Sequence, residues 1–143
     1  MRILTVALVG LALAASCFAE KKVIQPKGFP SGRPFSTGIL VNGTLYVSGF
    51  VGNDLKTGQV PKDFEAEVRL CLDHIGLVLK EAGMGFQDVV AVQVYLTDIA
   101  LFQRMNTVYT TYFKEPRPTR TTVGNVTLAA PAARVEITVT AQK

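Results

Sequence analysis

Cysteine and histidine are scarce in this chain of 143 residues, which carries two Cys, one His and no Trp. Cys17 lies in an apolar N-terminal segment, so the remainder of the chain keeps only Cys71 and cannot form an internal disulfide. The single His74 has no second ligand and no serine partner at a recognisable spacing. We therefore expect no metal site. Dinucleotide-binding and phosphate-loop motifs are also absent from the sequence.

Charge is nearly balanced, because 15 basic residues face 11 acidic ones and the basic residues form no block. Such a weak excess gives no electrostatic footprint for nucleic acid. The length allows one ordinary domain and excludes a multidomain enzyme.

Long hydrophobic runs are missing as well. The longest, residues 3–15, is far shorter than the roughly 20 residues that a membrane-spanning helix needs. It follows Arg2 and leads to small residues ending in Ala19, a pattern typical of a secretory signal peptide over residues 1–19. A rival interpretation makes Cys17 a lipidated first residue, since it ends a segment that resembles a lipobox. Both interpretations predict export, to the periplasm or outside the cell, with no membrane anchor beyond a lipid at Cys17.

The part that follows divides into a linker and a domain. Residues 20–31 hold charge and proline without apolar periodicity and are predicted to be a linker before a domain of residues 32–143. Two strand-like runs, residues 35–41 and 45–51, flank Asn42-Gly43, a pair that favours a tight hairpin turn.

Helical and strand patterns then alternate. Asp63 can cap a helix that runs to Ala82, and Gly83 supplies its stop. An apolar strand over residues 89–96, a second helix capped by Asp98 and ended by Pro116, and strands over residues 120–126 and 135–141 follow. The order ββαβαββ predicts an α/β fold, a mixed sheet with both helices on one face and hairpins at its ends.

The opposite face of this sheet needs a cover that the chain is too short to provide. The strands carry more apolar side chains than two helices can bury: Val92, Val94, Val123, Val135, Ile137 and Val139. We therefore predict that a second subunit covers the open face.

Four side chains are candidates for chemistry. Cys71 and His74 lie on or beside the apolar face of the first helix, where a buried thiol and a flanking histidine are the simpler interpretations. Arg120 and Glu136 are charges within otherwise apolar or β-branched strands. Each is either a solvent-facing strand residue or half of an ion pair. Alternatively, the guanidinium binds a small carboxylate through two hydrogen bonds while the carboxylate handles a proton or water.

Several motifs together resemble the Rid (YjgF-type) family, in order and at the expected separations. They are Leu45-Tyr46-Val47-Ser48-Gly49, Met105-Asn106, Arg117-Pro118-Thr119-Arg120 and Arg134-Val135-Glu136-Ile137. The resemblance implies a chorismate-mutase-like α/β fold. It also implies a homotrimer with the sheets packed inward, the helices outside, and ligand clefts between subunits.

The resemblance also implies an activity. Family members of the RidA type hydrolyse short-lived enamines and imines, such as 2-aminoacrylate and 2-iminopropanoate, to a 2-oxo acid and ammonia without a cofactor. By this resemblance the chain is a hydrolase like 2-iminobutanoate/2-iminopropanoate deaminase. Arg120 would bind the substrate carboxylate and Glu136 would orient or deprotonate the attacking water. Ser48 and Gly49 match pocket-lining positions and Asn106 a pocket-edge position.

The sequence departs from the family pattern around the pocket. Phe35 stands where the family has a tyrosine, and Phe50 stands where it has a glutamine. Thr122 occupies a position that is commonly small or Cys, and Thr138 replaces a second strand glutamate. The departures make the predicted cleft more apolar at Phe35 and Phe50 and leave Arg120 and Glu136 in place, so they leave open which substrate is used.

Three functions therefore remain. The first is hydrolytic deamination of 2-imino or 2-enamino acids. The second is a non-catalytic trimeric module that binds small carboxylates or acts like a chaperone. The third is the endoribonuclease activity of the family's older description, which the signal peptide and the weak positive charge oppose.

Overall fold

The computed structural model describes residues 20–143, which form one seven-stranded sheet and two α-helices. The predicted signal peptide, with Cys17, lies outside the described residues. Within residues 20–143, none of the helices combines the length and the apolar character that a membrane span requires.

The strands of the sheet are β1 (Lys22–Ile24), β2 (Gly38–Val41), β3 (Thr44–Val47), β4 (Phe50–Val51), β5 (Val89–Leu96), β6 (Thr119–Val123) and β7 (Val135–Gln142). Their order in the sheet is β1-β2-β3-β7-β5-β6, with β4 also paired to β7. Helix α1 spans Phe64–Glu81 and helix α2 spans Phe102–Tyr112. Short 3₁₀ helices precede β5 and α2, at Phe86–Asp88 and Ile99–Leu101. Strands β5 and β6 are parallel, and all other pairs are antiparallel.

Helix α1 begins and ends as the sequence predicts. The carboxylate of Asp63 accepts a hydrogen bond of 2.8 Å from the backbone N–H of Ala66, which satisfies a free donor of the first turn. Gly83 follows the helix with a φ of 73°, a conformation that a side chain would disfavour. The buried face of α1 includes Val68, Cys71, Leu72, Ile75 and Leu79. This apolar stripe is the main cover of the sheet.

The segment predicted to be a linker differs from that expectation. Residues 20–31 contain β1, which pairs with β2 and forms the sheet edge. Ile24 and Phe29 of this segment are buried in the hydrophobic core. A strand of three residues is too short to show the alternation by which strands are recognised, so the charge and proline pattern concealed it.

Two expectations for the second half of the domain also need correction. The last two strands do not form a hairpin, because β5 lies between β6 and β7. Helix α2 connects β5 to β6 as a crossover, which is the kind of connection that two parallel strands require. Asp98 does not cap α2; its carboxylate accepts from Ala100 N–H at 2.8 Å and caps the 3₁₀ helix instead.

The strand register assigns side chains to the two faces of the sheet, since directly opposed residues point to the same side. The face under the helices buries most of the residues that we expected on the open face: Val92, Val94, Val135, Ile137 and Val139. Only Val123 of that set remains exposed, at 41%. The open face instead carries Tyr46, Gln93, Tyr95, Thr138 and Thr140 beside Val123. It is more polar than the sequence indicates.

Candidate active site

Arg120 lies on the helix side of the sheet, because it is opposed to buried Val92 in the register of β5 and β6. Its Nη1 donates a hydrogen bond of 2.9 Å to Oδ1 of Asn106 on α2. The guanidinium carbon lies 4.5 Å from the ring centroid of Tyr109 and 5.4 Å from that of Phe102. These contacts orient the guanidinium, and within residues 20–143 they consume one of its hydrogen-bond donors.

The Arg120 guanidinium faces a cavity of about 460 Å³. The cavity walls are Asn106, Tyr109, Thr110, Arg117, Pro118 and Arg120. Among the described residues, no carboxylate lies within 4.0 Å of the Arg120 nitrogens. Thr122, two positions along the same strand and face, has a buried hydroxyl with no hydrogen-bond partner within residues 20–143. This side of the sheet therefore presents hydrogen-bonding groups that residues 20–143 leave unused.

Glu136 lies on the open face, opposed to Val51 on β4 and Tyr95 on β5. Its carboxylate rests against Gly49, where a Cβ atom would lie 2.1 Å from Glu136 Oε1. Glycine is therefore the residue that leaves room for this carboxylate. Gly49 belongs to a break between β3 and β4, and Ser48 beside it donates to the carbonyl of Ser36 at 2.7 Å.

Two cavities adjoin the Glu136 carboxylate. One has a volume of about 350 Å³ and includes Phe35, Gly49, Phe50 and Glu136 in its walls. The other, of about 370 Å³, lies on the open face and is bounded by Gly49, Tyr95, Leu128, Glu136 and Thr138. Phe50 is buried, whereas Phe35 is 52% exposed.

The predicted site residues thus form two groups rather than one. The Arg120 group comprises Asn106, Arg120 and Thr122 on the helix side, and the Glu136 group comprises Phe35, Ser48, Gly49, Phe50 and Glu136 around the strand break. Alternating strand residues point to opposite faces, so Arg120 and Glu136 of one chain are separated by the sheet. Within a single chain the two proposed catalytic side chains do not meet.

A buried ion pair, which sequence reasoning missed, holds the start of β7. The carboxylate of Glu67 on α1 is fully buried and accepts from Arg134 N–H at 2.6 Å, from Arg134 Nε at 2.7 Å and from Val135 N–H at 3.3 Å. Arg134 also donates to the carbonyl of Pro61 at 2.8 Å. Glu67 precedes Cys71 by four residues on the apolar helical face, and this spacing was the signal for a buried charge.

Cys71 and His74 are buried and lie behind the Glu136 group. The Cys71 thiol donates to the carbonyl of Phe50 at 3.0 Å, and burial raises its pKa well above the ordinary value. A protonated, enclosed thiol is a poor nucleophile. The His74 ring lies 5.9 Å from the ring of Phe29 and 6.1 Å from that of Phe50, and its Nδ1 has no partner within residues 20–143. Within the same range, no group of three or more side chains is arranged to hold a metal ion.

We expect His74 to make the protein less stable in mild acid. Burial is the main cause that lowers the pKa of His74 below 6.5, and it outweighs the hydrogen bond with the backbone of Val51, which favours the charged form. The unfolded chain therefore binds a proton before the folded chain does, and stability present above pH 6.5 is lost as the pH falls toward the folded pKa. Each unit of pH within this window costs up to about 1.4 kcal/mol.

Urea denaturation at a series of pH values tests this expectation, with His74→Gln as the comparison. The loss of unfolding free energy between neutral pH and pH 5 should be smaller in the variant than in the unaltered protein. Parallel losses in both proteins would assign the acid sensitivity to other groups.

The fold and the site together indicate an α/β protein with a small-molecule site. A mixed α/β sheet with two helices on one face carries an arginine cavity on its helix side and a carboxylate between two cavities at a strand break. Pockets of this size that combine apolar walls with a few polar groups are typical of small-molecule sites.

The chain belongs to the Rid (YjgF-type) family, because the family model described as Endoribonuclease L-PSP matches residues 27–143. It is 43% identical over 127 residues to a RutC family protein of Saccharolobus solfataricus, a match that covers 88% of this chain and 95% of the relative. It is 38% identical over 119 residues to a Bos taurus protein named 2-iminobutanoate/2-iminopropanoate deaminase, covering 82% and 86%. The crystal structure of E. coli TdcF with bound serine aligns with a TM-score of 0.78 and 28% identity, covering 86% and 99%.

Proposed function

We propose that the protein hydrolyses reactive 2-imino and 2-enamino acids to 2-oxo acids and ammonia in clefts between the subunits of a homotrimer. The observation that carries this proposal is the placement of Arg120 and Glu136 on opposite faces of one sheet, each beside its own cavity. A contact between two copies of the chain would bring the Arg120 of one copy to the Glu136 of the other. The names of the mammalian relatives support the reaction class.

Arg120 is suited to hold the carboxylate of the substrate. Asn106 and the Tyr109 ring orient the guanidinium, and its remaining N–H groups form a fork that matches two carboxylate oxygens. Serine, the ligand bound in the TdcF structure, is an amino acid and carries such a carboxylate. An oriented carboxylate fixes the neighbouring imine carbon, C2, in one position relative to the water that attacks it.

Glu136 is suited to manage the proton of that water. In the proposed reaction the water oxygen bonds to C2 of the protonated imine, Glu136 accepts the proton that the water releases, and the electron pair of the C2–nitrogen π bond moves to nitrogen, which becomes an amine. Glu136 then gives this proton to the amine, the bond from C2 to nitrogen breaks, and ammonia leaves as the carbonyl of the 2-oxo acid forms. The hydroxyl proton passes to Glu136 and from there to solvent, which replaces the proton that the imine brought in. Water is the only co-reactant, so the cycle requires no cofactor.

The homotrimer is supported by the open sheet face, which neither α1 nor α2 covers. Val23, Tyr46 and Val123 are large side chains of this sheet with exposures of 57%, 54% and 41%. A second copy would bury them and would bring its Arg120 group toward the Glu136 group. We also propose that the chain is exported, on the strength of the residue 1–19 pattern.

Arg120→Ala is expected to reduce ammonia release by about 100-fold or more, because the substrate carboxylate loses its fork and C2 loses its position. The measurement is ammonia released from 2-imino acids that an amino-acid oxidase generates in the same vessel. Arg120→Lys should recover only part of the activity, since an ammonium cannot make the two parallel bonds.

Arg104→Ala is the matched control for this test. Arg104 also lies on the helix side of the domain, but it forms an exposed ion pair with Glu65 on α1. Its removal should leave the rate unchanged. Equal rates for Arg120→Ala and the unaltered protein would overturn the proposed role, and saturable binding of 2-oxo acids without turnover would favour the non-catalytic binding module.

A further inference from the structure

The cavity of about 350 Å³ beside Glu136 has mainly apolar walls. They are formed by Phe35, Phe50, Val51, Leu55, Ala129 and Ala130, while Arg33, Asn53 and Glu136 supply the polar groups. The Arg33 guanidinium lies 5.6 Å from the Phe35 ring, and both residues are exposed, so this cation is at the solvent side. A volume of this size is typical of sites that bury ligands well beyond three carbon atoms.

Glu136 and Gly49 also border the open-face cavity of about 370 Å³, whose walls include Tyr95, Thr127 and Thr138. The carboxylate therefore stands between a more polar space and an apolar one. In the proposed reaction C2 must lie next to this carboxylate. The polar end of the substrate can then occupy the open face, where a second subunit would approach, and the group attached to C2 extends along Phe50 and Leu55.

We propose that the apolar cavity is a side-chain subsite, and that the protein prefers 2-imino acids with a branched aliphatic or aromatic side chain over those with one or two side-chain carbons. This inference rests on the proposed function, because it takes the reacting carbon to lie beside Glu136. It follows from burial of apolar surface, since each side-chain carbon that enters the cavity leaves water. One methylene in an apolar pocket changes selectivity by roughly 10-fold or more.

The test compares imines made in situ from leucine and from alanine by an amino-acid oxidase. We expect catalysed ammonia release from the leucine-derived imine to exceed that from the alanine-derived imine by at least ~10-fold in kcat/KM. Ala130→Phe, which fills the apolar cavity, should lower the leucine-derived rate by ~10-fold or more and leave the alanine-derived rate within about twofold. Ala132→Phe is the control, because Ala132 is exposed in the same loop and does not border this cavity.

A binding measurement keeps this inference separate from the proposed reaction. Calorimetry with 4-methyl-2-oxopentanoate and with pyruvate requires no turnover, and the longer acid should bind at least ~10-fold more tightly. If the longer acid binds more tightly and no imine is hydrolysed, the result supports the side-chain subsite and contradicts the proposed reaction. Equal affinity for the two acids, tighter binding of 2-oxoglutarate through Arg33, or an equal loss on both substrates in Ala130→Phe would overturn the subsite.

Discussion

A mixture of two inactive variants, Arg120→Ala and Glu136→Gln, is expected to regain about a quarter of the activity of the unaltered protein when the chains are co-expressed. Each cleft in the proposed trimer takes Arg120 from one chain and Glu136 from its neighbour. In an equal mixture each of the two side chains is intact in about half of the clefts, so about a quarter of the clefts are complete. Ammonia release per mole of chain, measured on the purified mixed trimers, is the readout.

The control for this mixture pairs Arg120→Ala with the double variant that carries both substitutions. No chain in that mixture supplies Arg120, so none of its clefts is complete and no activity should return. If the first mixture is also inactive, the two side chains are not supplied by different chains, and the proposed shared cleft is wrong. Its basis is the placement of Arg120 and Glu136 on opposite faces of the sheet.

The second large effect is on stability, where Glu67→Ala is expected to lower the free energy of unfolding by about 3–5 kcal/mol. The substitution removes the carboxylate that accepts hydrogen bonds from the backbone of Arg134 and Val135 and from the Arg134 guanidinium. These donors then lose their partner inside the protein, and burying an unpaired donor is costly. Equilibrium denaturation in urea gives the change directly.

Two further variants serve as comparisons for the stability of Glu67→Ala. Glu67→Gln keeps an oxygen that can accept from the backbone and should lose less stability than Glu67→Ala. Glu65→Ala removes the carboxylate of an exposed pair with Arg104 on the neighbouring surface, where solvent already screens the charges, so its effect should be small. A loss in Glu67→Ala no larger than that in Glu65→Ala would show that the buried pair does not hold β7.

Local signals in the sequence were sufficient to place the well-formed elements. The cap at Asp63, the stop at Gly83 and the apolar run of β5 depend on contacts between near neighbours in the chain, and all three have the predicted structure. The family resemblance likewise identified the mixed α/β sheet with its two helices.

Features that depend on contacts between distant parts of the chain could not be predicted from local sequence patterns. An alternating pattern identifies β6 as a strand, but it does not say that β5 rather than β7 is its neighbour. The faces on which Arg120 and Glu136 lie follow from the pairing of β5 with β6 and β7, so the sequence could not show that the site is divided between two faces. The partner of Glu67 is Arg134, far along the chain, and no local pattern connects the two.

Glu136 lies on a strand, whereas the far wall of the apolar cavity beside it is formed by loops. The residues that hold the carboxylate in place are therefore different from the residues that set the shape of the cavity. Leu55, Ala129 and Ala130 belong to connecting segments, whereas Glu136 is fixed within β7 and accommodated by Gly49. Loops accept substitutions that strands do not. If the proposed subsite is real, the range of acids it accepts can drift over evolutionary time by exchange of loop residues, while the strand that holds the carboxylate stays the same.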